Sequence, residues 1–119
     1  MIPSPEAFTT RTFSFACQIV ALYRTLNATP AFPYAISRQL LRSGKSIGAN
    51  IEESKAASSR RDLAARFAIA LREARETKYW LRLILATRLS NSPLIDTALR
   101  ECDQLVAILT RSVQRLRAE

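Results

Sequence analysis

Four glutamates are the best candidates in the sequence for a metal centre, because of their side chains and their spacing. Glu52 and Glu53 are adjacent, while Glu73 and Glu76 stand three residues apart, which places both on one face of a helix. Bundles that bind two metal ions combine such glutamates with Glu-x-x-His motifs on facing helices. The chain has no histidine, so we expect neither a metal site nor a cofactor. We expect a structural role for these carboxylates instead. Glu53 or Glu73 is expected to pair with an arginine or with Asn50.

Nucleophilic catalysis has equally little support. Cys17 and Cys102 cannot form a disulfide framework, and we interpret both as reduced thiols. Without histidine, no serine or cysteine has the usual general base. The Gly-Lys-Ser run at 44–46 resembles the end of a phosphate-binding loop, but Gln39 stands where its first glycine belongs and no strand precedes it. We therefore assign no catalytic residue and expect a protein that is not an enzyme.

The basic excess is the clearest indication of function. The chain has 18 Lys and Arg residues against 10 Asp and Glu, a formal net charge of +8, and fifteen of the 18 are arginine. A surplus of this size implies an anionic partner, with nucleic acid as the default candidate. The alternative is that the arginines serve solubility and form an ordinary solvated surface.

Four helical segments must position these residues. Prolines stand near the starts of the segments, and apolar residues recur at steps of three and four. Four helices with one apolar stripe each predict an all-α fold, an antiparallel up-down-up-down four-helix bundle in a single domain over 1–119. The predicted helices cover about 5–26, 33–54, 59–89 and 93–117.

Two local patterns refine this prediction. Ser59 with Asp62 three residues later resembles a capping box at the start of the third helix. Gly44 and Gly48 lie four residues apart inside the second helix, where each glycine costs roughly 1 kcal/mol relative to alanine. We expect these glycines to let another helix approach closely.

The third helix has more apolar residues than one buried stripe needs. Its inward stripe runs from Leu63 to Leu85, yet Ile69, Trp80 and Leu83 fall on a second sector. Large apolar side chains in water favour association, and tryptophan is enriched at binding hot spots. We therefore predict that Ile69, Trp80 and Leu83 form a homo-oligomer interface. The alternative is that a long neighbouring helix covers both sectors.

A further sector of the same helix is basic. A row of arginines with one exposed aromatic suits contact with phosphates and stacking on a base. The alternative is a solvated face, partly neutralised by Glu76 four residues after Arg72. The predicted nucleic-acid contacts are Arg61, Arg72, Arg75, Lys78, Tyr79, Arg82 and, near the C-terminus, Arg115.

Three stretches carry a family resemblance: SIGANIEES at 46–54, RRDL at 60–63 and AIALREARETKYWL at 68–81. They resemble the four-helix-bundle family named for proteins encoded in intervening sequences of bacterial 23S ribosomal RNA genes, which is similar to the accessory variability protein of diversity-generating retroelements. The resemblance covers most of the chain and is strongest from about 39 to 84. It implies a homopentameric ring, and the accessory variability relatives imply nucleic-acid binding and association with a reverse transcriptase. By position, the resemblance also implies that Asn50, Glu53, Glu73 and Glu76 form a structural polar set. Ser54 stands where many members have glycine, so the second helix is expected to end less sharply.

Together these observations predict a cytoplasmic, non-enzymatic homo-oligomer, a pentamer, that binds RNA or DNA without strong sequence preference. The expected partners are other copies of the chain, nucleic acid, and a reverse transcriptase or another protein. No apolar run approaches the roughly 20 residues of a membrane span, so no membrane partner is expected. The alternative function is a protein-interaction scaffold with no role in nucleic-acid binding.

Overall fold

The computed structural model describes residues 4–118, and all regular secondary structure in that range is α-helical. The all-α class predicted from the sequence is confirmed. None of the helices within 4–118 is long and apolar enough to cross a membrane. The four helices are α1 (Pro5–Asn27), α2 (Tyr34–Ser54), α3 (Arg60–Ala86) and α4 (Pro93–Arg117).

The helices form a four-membered bundle in chain order. α2 packs against α1 and α3, α4 packs against α3, and a less extensive contact between α4 and α1 closes the bundle. The bundle measures 49 × 22 × 22 Å, and the short connections make successive helices antiparallel. α1 and α3 occupy one diagonal, so the side formed by α1 and α2 lies opposite the side formed by α3 and α4.

Each helix contributes one stripe of side chains to a continuous core. On α3, the core stripe is rotated slightly from the one predicted. Ala70, Ala74 and Leu81 are buried as expected, whereas Leu63 and Leu85 are half-buried at its edge. The stripe faces the space between α2 and α4, which brings further α3 residues into the core. These additional residues are Ala64, Leu71, Thr77 and Ile84.

Local hydrogen bonds set both ends of α3. At its start, the Ser59 hydroxyl accepts from the Asp62 amide at 3.0 Å, while the Asp62 carboxylate accepts from the Ser58 amide at 3.0 Å. At its end, Arg88 has a left-handed φ of 55°, and the Leu89 amide donates to the Ile84 carbonyl at 3.2 Å. This Schellman motif ends α3 at Ala86, earlier than the predicted 89. The position that usually holds glycine is occupied here by Arg88.

The two glycines of α2 bring α1 unusually close. A Cβ atom built at Gly44 would lie 2.7 Å from Cγ2 of Ile19, and one built at Gly48 would lie 3.1 Å from the Thr12 carbonyl oxygen. Ile19 is fully buried, and its atoms nearest Gly44 are close to its own backbone, so they have little freedom to move. The spacing of these glycines therefore has the expected structural reason, which is close packing of α2 on α1.

The substitution Gly44→Ala is expected to destabilise the protein by about 1–2 kcal/mol. Overpacking a core typically costs roughly 1–3 kcal/mol, which exceeds the gain of about 1 kcal/mol in helix propensity. Urea denaturation followed by circular dichroism measures the difference. The exposed Ala49→Gly change in the same helix calibrates the propensity effect alone. A Gly44→Ala protein more stable than the parent would contradict the close contact with Ile19.

Candidate nucleic-acid interface

The predicted basic residues of α3 lie along its outward face, which we call the basic ridge. It comprises Arg61, Arg72, Arg75, Lys78, Tyr79 and Arg82. All of these except Lys78 are exposed, and Tyr79 is 54% exposed. Tyr79 stands at an edge-on angle to Trp80, with the ring centroids 5.2 Å apart. The ridge therefore presents four arginines and one accessible aromatic ring to solvent.

Lys78 differs from the rest of the ridge. Its Nζ lies 2.9 Å from Oδ1 of Asp103 on α4, and the residue is half-buried. This ion pair links α3 to α4 and neutralises Lys78, so the lysine helps to position the ridge more than it adds to its charge.

The C-terminal end of α4 adjoins the start of the ridge. The Arg60 guanidinium donates to the backbone carbonyls of Arg115 at 3.1 Å and Leu116 at 3.2 Å. Carbonyls in the last turn of a helix lack intrahelical partners, so Arg60 acts as a cap supplied by another helix. Arg61 and Arg117 line a cavity of about 570 Å³ beside this cap. The exposed side chain of Arg115 lies at the same end of the bundle.

The carboxylates of the described chain are nearly all used in ion pairs. Seven form pairs with basic residues: Glu52, Glu53, Asp62, Glu73, Glu76, Glu101 and Asp103. The other two within 4–118, Glu6 and Asp96, lie in the first turns of α1 and α4, where the helix dipole favours negative charge. Only five of the 18 basic residues take part in these pairs. The remaining positive charge is concentrated on outward faces.

A polar seam joins α2 to α3. The Arg42 guanidinium donates to Glu73 at 3.0 Å and also to Glu76. The indole N–H of Trp80 donates to the same Glu76 carboxylate at 3.0 Å. The hydroxyl of Thr77 lies 2.9 Å from that of Ser43, deeper between the helices.

The seam accounts for much of the structural polar set inferred from the sequence. Glu73 and Glu76 belong to it, but their partner, Arg42, was not singled out by sequence reasoning. Asn50 donates to the Ser46 carbonyl at 2.8 Å, within its own helix, and does not pair with a glutamate. Glu53 lies 3.7 Å from Arg66 and is largely exposed. α2 ends at Ser54, whose hydroxyl donates to the Ile51 carbonyl.

The predicted oligomer interface is only partly open to solvent. Ile69 is 42% exposed, whereas Trp80 and Leu83 are half-buried. Trp80 packs against the core and bonds to Glu76, so the bundle itself covers part of its ring.

A second apolar surface, which sequence reasoning did not identify, lies on α1. Phe13 is 62% exposed and Val20 is 44% exposed. Their spacing of seven residues, opposite the buried stripe of α1, is the signal that could have revealed this surface.

Cys102 is fully buried, and its thiol faces α3. Burial raises the pKa of the Cys102 thiol to about 12. The thiol donates a hydrogen bond to the Ala74 carbonyl, with 3.3 Å between the sulfur and the oxygen. A neutral thiol of this kind is a poor nucleophile. Within residues 4–118, no three His, Cys, Asp or Glu side chains are grouped so that they could hold a metal ion.

These features define the class of protein: a basic, all-α four-helix bundle. The family model of the 23S rRNA-intervening sequence protein matches residues 7–111, and the chain belongs to that family. A crystal structure of a protein of unknown function from the S23 ribosomal protein family of Bacteroides thetaiotaomicron is similar, with a TM-score of 0.82 and 35% sequence identity. The match covers 89% of this chain and 97% of that one. A search of curated proteins returns no match.

The Arg42–Glu76 contact gives a testable pH dependence. Partial burial raises the pKa of Glu76, but hydrogen bonds from Trp80 and Arg42, with the charge of Arg42, outweigh it and hold the pKa below its ordinary value of 4.5. A carboxylate with a lowered pKa stabilises the fold above that ordinary value and loses the contribution as the pH falls further. We therefore expect Glu76→Gln to cost about 0.5–1 kcal/mol at pH 7 and less at pH 3.

Urea denaturation at both pH values measures this difference. Glu52→Gln is the matched control, because its partner Lys55 directly follows α2, so the pair joins no two helices, and both side chains are more than half exposed. An equal cost of Glu76→Gln at pH 7 and pH 3 would show that the carboxylate charge is not what joins α2 to α3.

Proposed function

We propose that this protein is a non-enzymatic homo-oligomer that binds RNA or DNA through the basic ridge and Arg115, without strong sequence preference. One observation carries the proposal. Within residues 4–118, the carboxylates lie at helix N-termini or in ion pairs with other basic residues, and none of them pairs with an exposed arginine of the ridge. A surface with this charge attracts polyanions at long range.

The dimensions of the ridge suit a nucleic-acid backbone. Arg61 and Arg82 are 21 residues apart in one helix, which corresponds to about 32 Å at 1.5 Å per residue. Along one strand of a duplex, this length spans about nine phosphates. Guanidinium groups bind phosphate oxygens through paired hydrogen bonds, and Tyr79 offers a face for stacking on an unpaired base. Both kinds of contact are independent of base sequence.

The assembly proposal rests on two exposed apolar surfaces. Ile69 on α3 and Phe13 with Val20 on α1 lie on helices at opposite corners of the bundle. If α3 of one copy packs on α1 of the next, the contact is heterologous and repeats around a ring when the rotation closes. The family resemblance supports a ring of five copies. In such a ring, the charge of each protomer adds to a field around the whole assembly.

Disrupting this contact is expected to release protomers. Ile69→Glu places a charge in the proposed interface and should convert a species of about five protomer masses into a monomer, since a buried unpaired charge is costly. Light scattering coupled to size exclusion measures the mass. Leu94→Glu is the matched control, because Leu94 is equally exposed but lies at the start of α4. An Ile69→Glu protein with unchanged mass would place the interface elsewhere.

Reversing the charge of the ridge is expected to weaken nucleic-acid binding. Arg75→Glu combined with Arg82→Glu should lower affinity for a mixed-sequence oligonucleotide and reduce the slope of log K against log salt by about 1–2. Fluorescence anisotropy over a salt series measures both. The control is Arg24→Glu combined with Arg100→Glu, which makes the same charge change outside the ridge.

Equal losses in the two double variants would mean that the ridge has no special role and that net charge alone attracts the strand. Binding as tight as that of the parent at low salt would contradict the ridge assignment. An oligomer that does not bind oligonucleotides would favour the alternative function, a protein-interaction scaffold. The contacts of such a scaffold with a protein partner would be less sensitive to salt.

A further inference from the structure

A groove between α1 and α2 combines aromatic and basic side chains on the opposite side of the bundle from the α3–α4 edge. We call it the aromatic–basic groove and define it by Tyr23, Tyr34, Arg38 and Lys45. Its volume is about 690 Å³, within the range of small-ligand sites. Ala35, Gln39, Leu41 and Arg42 complete the lining.

Two cations of the groove have no acidic partner. Neither Arg38 nor Lys45 forms an ion pair with any carboxylate in the described range. Arg42, between them on the same face of α2, behaves differently because Glu73 and Glu76 occupy its guanidinium. Arg38 and Lys45 are seven residues apart, about 10 Å along the helix axis. They form a short positively charged track that the polar seam leaves free.

The two tyrosines supply the aromatic part of the groove. Tyr34 is 58% exposed, and Tyr23 is half-buried on α1. Interaction with the neighbouring Tyr23 side chain raises the pKa of Tyr34. Tyr23, near the end of α1, and Tyr34, at the start of α2, both line the groove. Aromatic rings beside a cationic track are the combination that binds nucleotides, with bases on the rings and phosphates on the cations.

We propose that the aromatic–basic groove binds a nucleotide, with its base stacked on Tyr34 and its phosphate held by Arg38 and Lys45. This site lies outside the basic ridge and goes beyond the proposed function. The same chemistry is offered by a free mononucleotide and by one unit of a single strand. If the nucleotide is one unit of a strand, that strand contacts both the basic ridge and the aromatic–basic groove, on opposite sides of each protomer.

Photochemical cross-linking with the intact protein locates the bound base. A single-stranded oligonucleotide with 5-iodouracil is irradiated with the protein, and tryptic peptides are analysed by mass spectrometry. Tyr23, Tyr34 and Tyr79 fall in three separate peptides, 12–24, 25–38 and 79–82. We expect adducts on 25–38. In a second arm, 8-azidoadenosine monophosphate replaces the oligonucleotide, and labelling of 25–38 there shows that a single nucleotide suffices.

The proposal is overturned if neither probe labels 25–38. In that case, an oligonucleotide that still binds and labels 79–82 would leave the basic ridge intact as the site of binding. If the oligonucleotide labels 25–38 and the mononucleotide does not, the groove binds one unit of a strand and not a free nucleotide. Labelling of 25–38 that persists in the Arg75→Glu, Arg82→Glu protein shows that the groove binds independently of the ridge.

Two single-lysine variants test the phosphate contact without altering the reporting peptides. Lys45→Ala removes one proposed contact and should lower labelling of 25–38 about fivefold at subsaturating probe. Lys55→Ala is the matched control, since Lys55 follows the same helix, is exposed and pairs with Glu52. Equal labelling in the parent and both variants would show that Lys45 does not hold the phosphate.

Discussion

The pairing of carboxylates with basic residues where helices meet is the constraint on which this structure depends. Arg42 joins α2 to α3 through Glu73 and Glu76, Lys78 joins α3 to α4 through Asp103, and Arg11 joins α1 to α4 through a two-point contact with Glu101. Each contact adds little free energy on its own, because the pairs are partly solvated. Together these contacts connect three of the four neighbouring helix pairs. They use four of the nine carboxylates within residues 4–118.

The proposed functional surface follows from this distribution. Because the seam with α2 and the pair with Asp103 hold the two flanks of α3, its remaining face points outward, with arginines that form no ion pair within residues 4–118. The close approach at Gly44 and Gly48 acts similarly on the other side of the bundle. It brings α1 against α2, so that Tyr23 lies beside Tyr34 at the mouth of the aromatic–basic groove. Packing inside the bundle therefore decides which charges and rings are available outside it.

Periodicity predicted much of the fold because helical apolar stripes and proline positions are local signals. The four helices follow from them, and the close packing at Gly44 follows from glycines placed where helix propensity disfavours them. The end of α3 could not be predicted in the same way, since Arg88 occupies a left-handed position that usually holds glycine. In the candidate site, exposure of the arginines could be predicted from their sector on α3. The partners of the glutamates could not, because Arg42 lies 31 and 34 residues before them and only the packing of α2 on α3 reveals the contact.

Surface features that involve two helices were also beyond sequence reasoning. Tyr34, Arg38 and Lys45 share one helical face, a spacing visible in the sequence, but Tyr23 joins them only through the packing of α1 on α2. Trp80 illustrates the reverse case. Its spacing indicated an exposed residue, whereas the core and Glu76 cover part of the ring. The sequence of one helix does not show which neighbouring helix will cover a given sector of its surface.

The central claim is that unpaired arginines on the outside of this bundle attract polyanions. Its most direct test is the mass of the parent protein by light scattering after size exclusion, with and without a mixed RNA/DNA oligonucleotide, at about 50 and 200 mM salt. The account predicts a complex at low salt that dissociates as salt rises, because phosphate contacts release counterions. An identical protein mass with and without oligonucleotide at the lower salt concentration would contradict it.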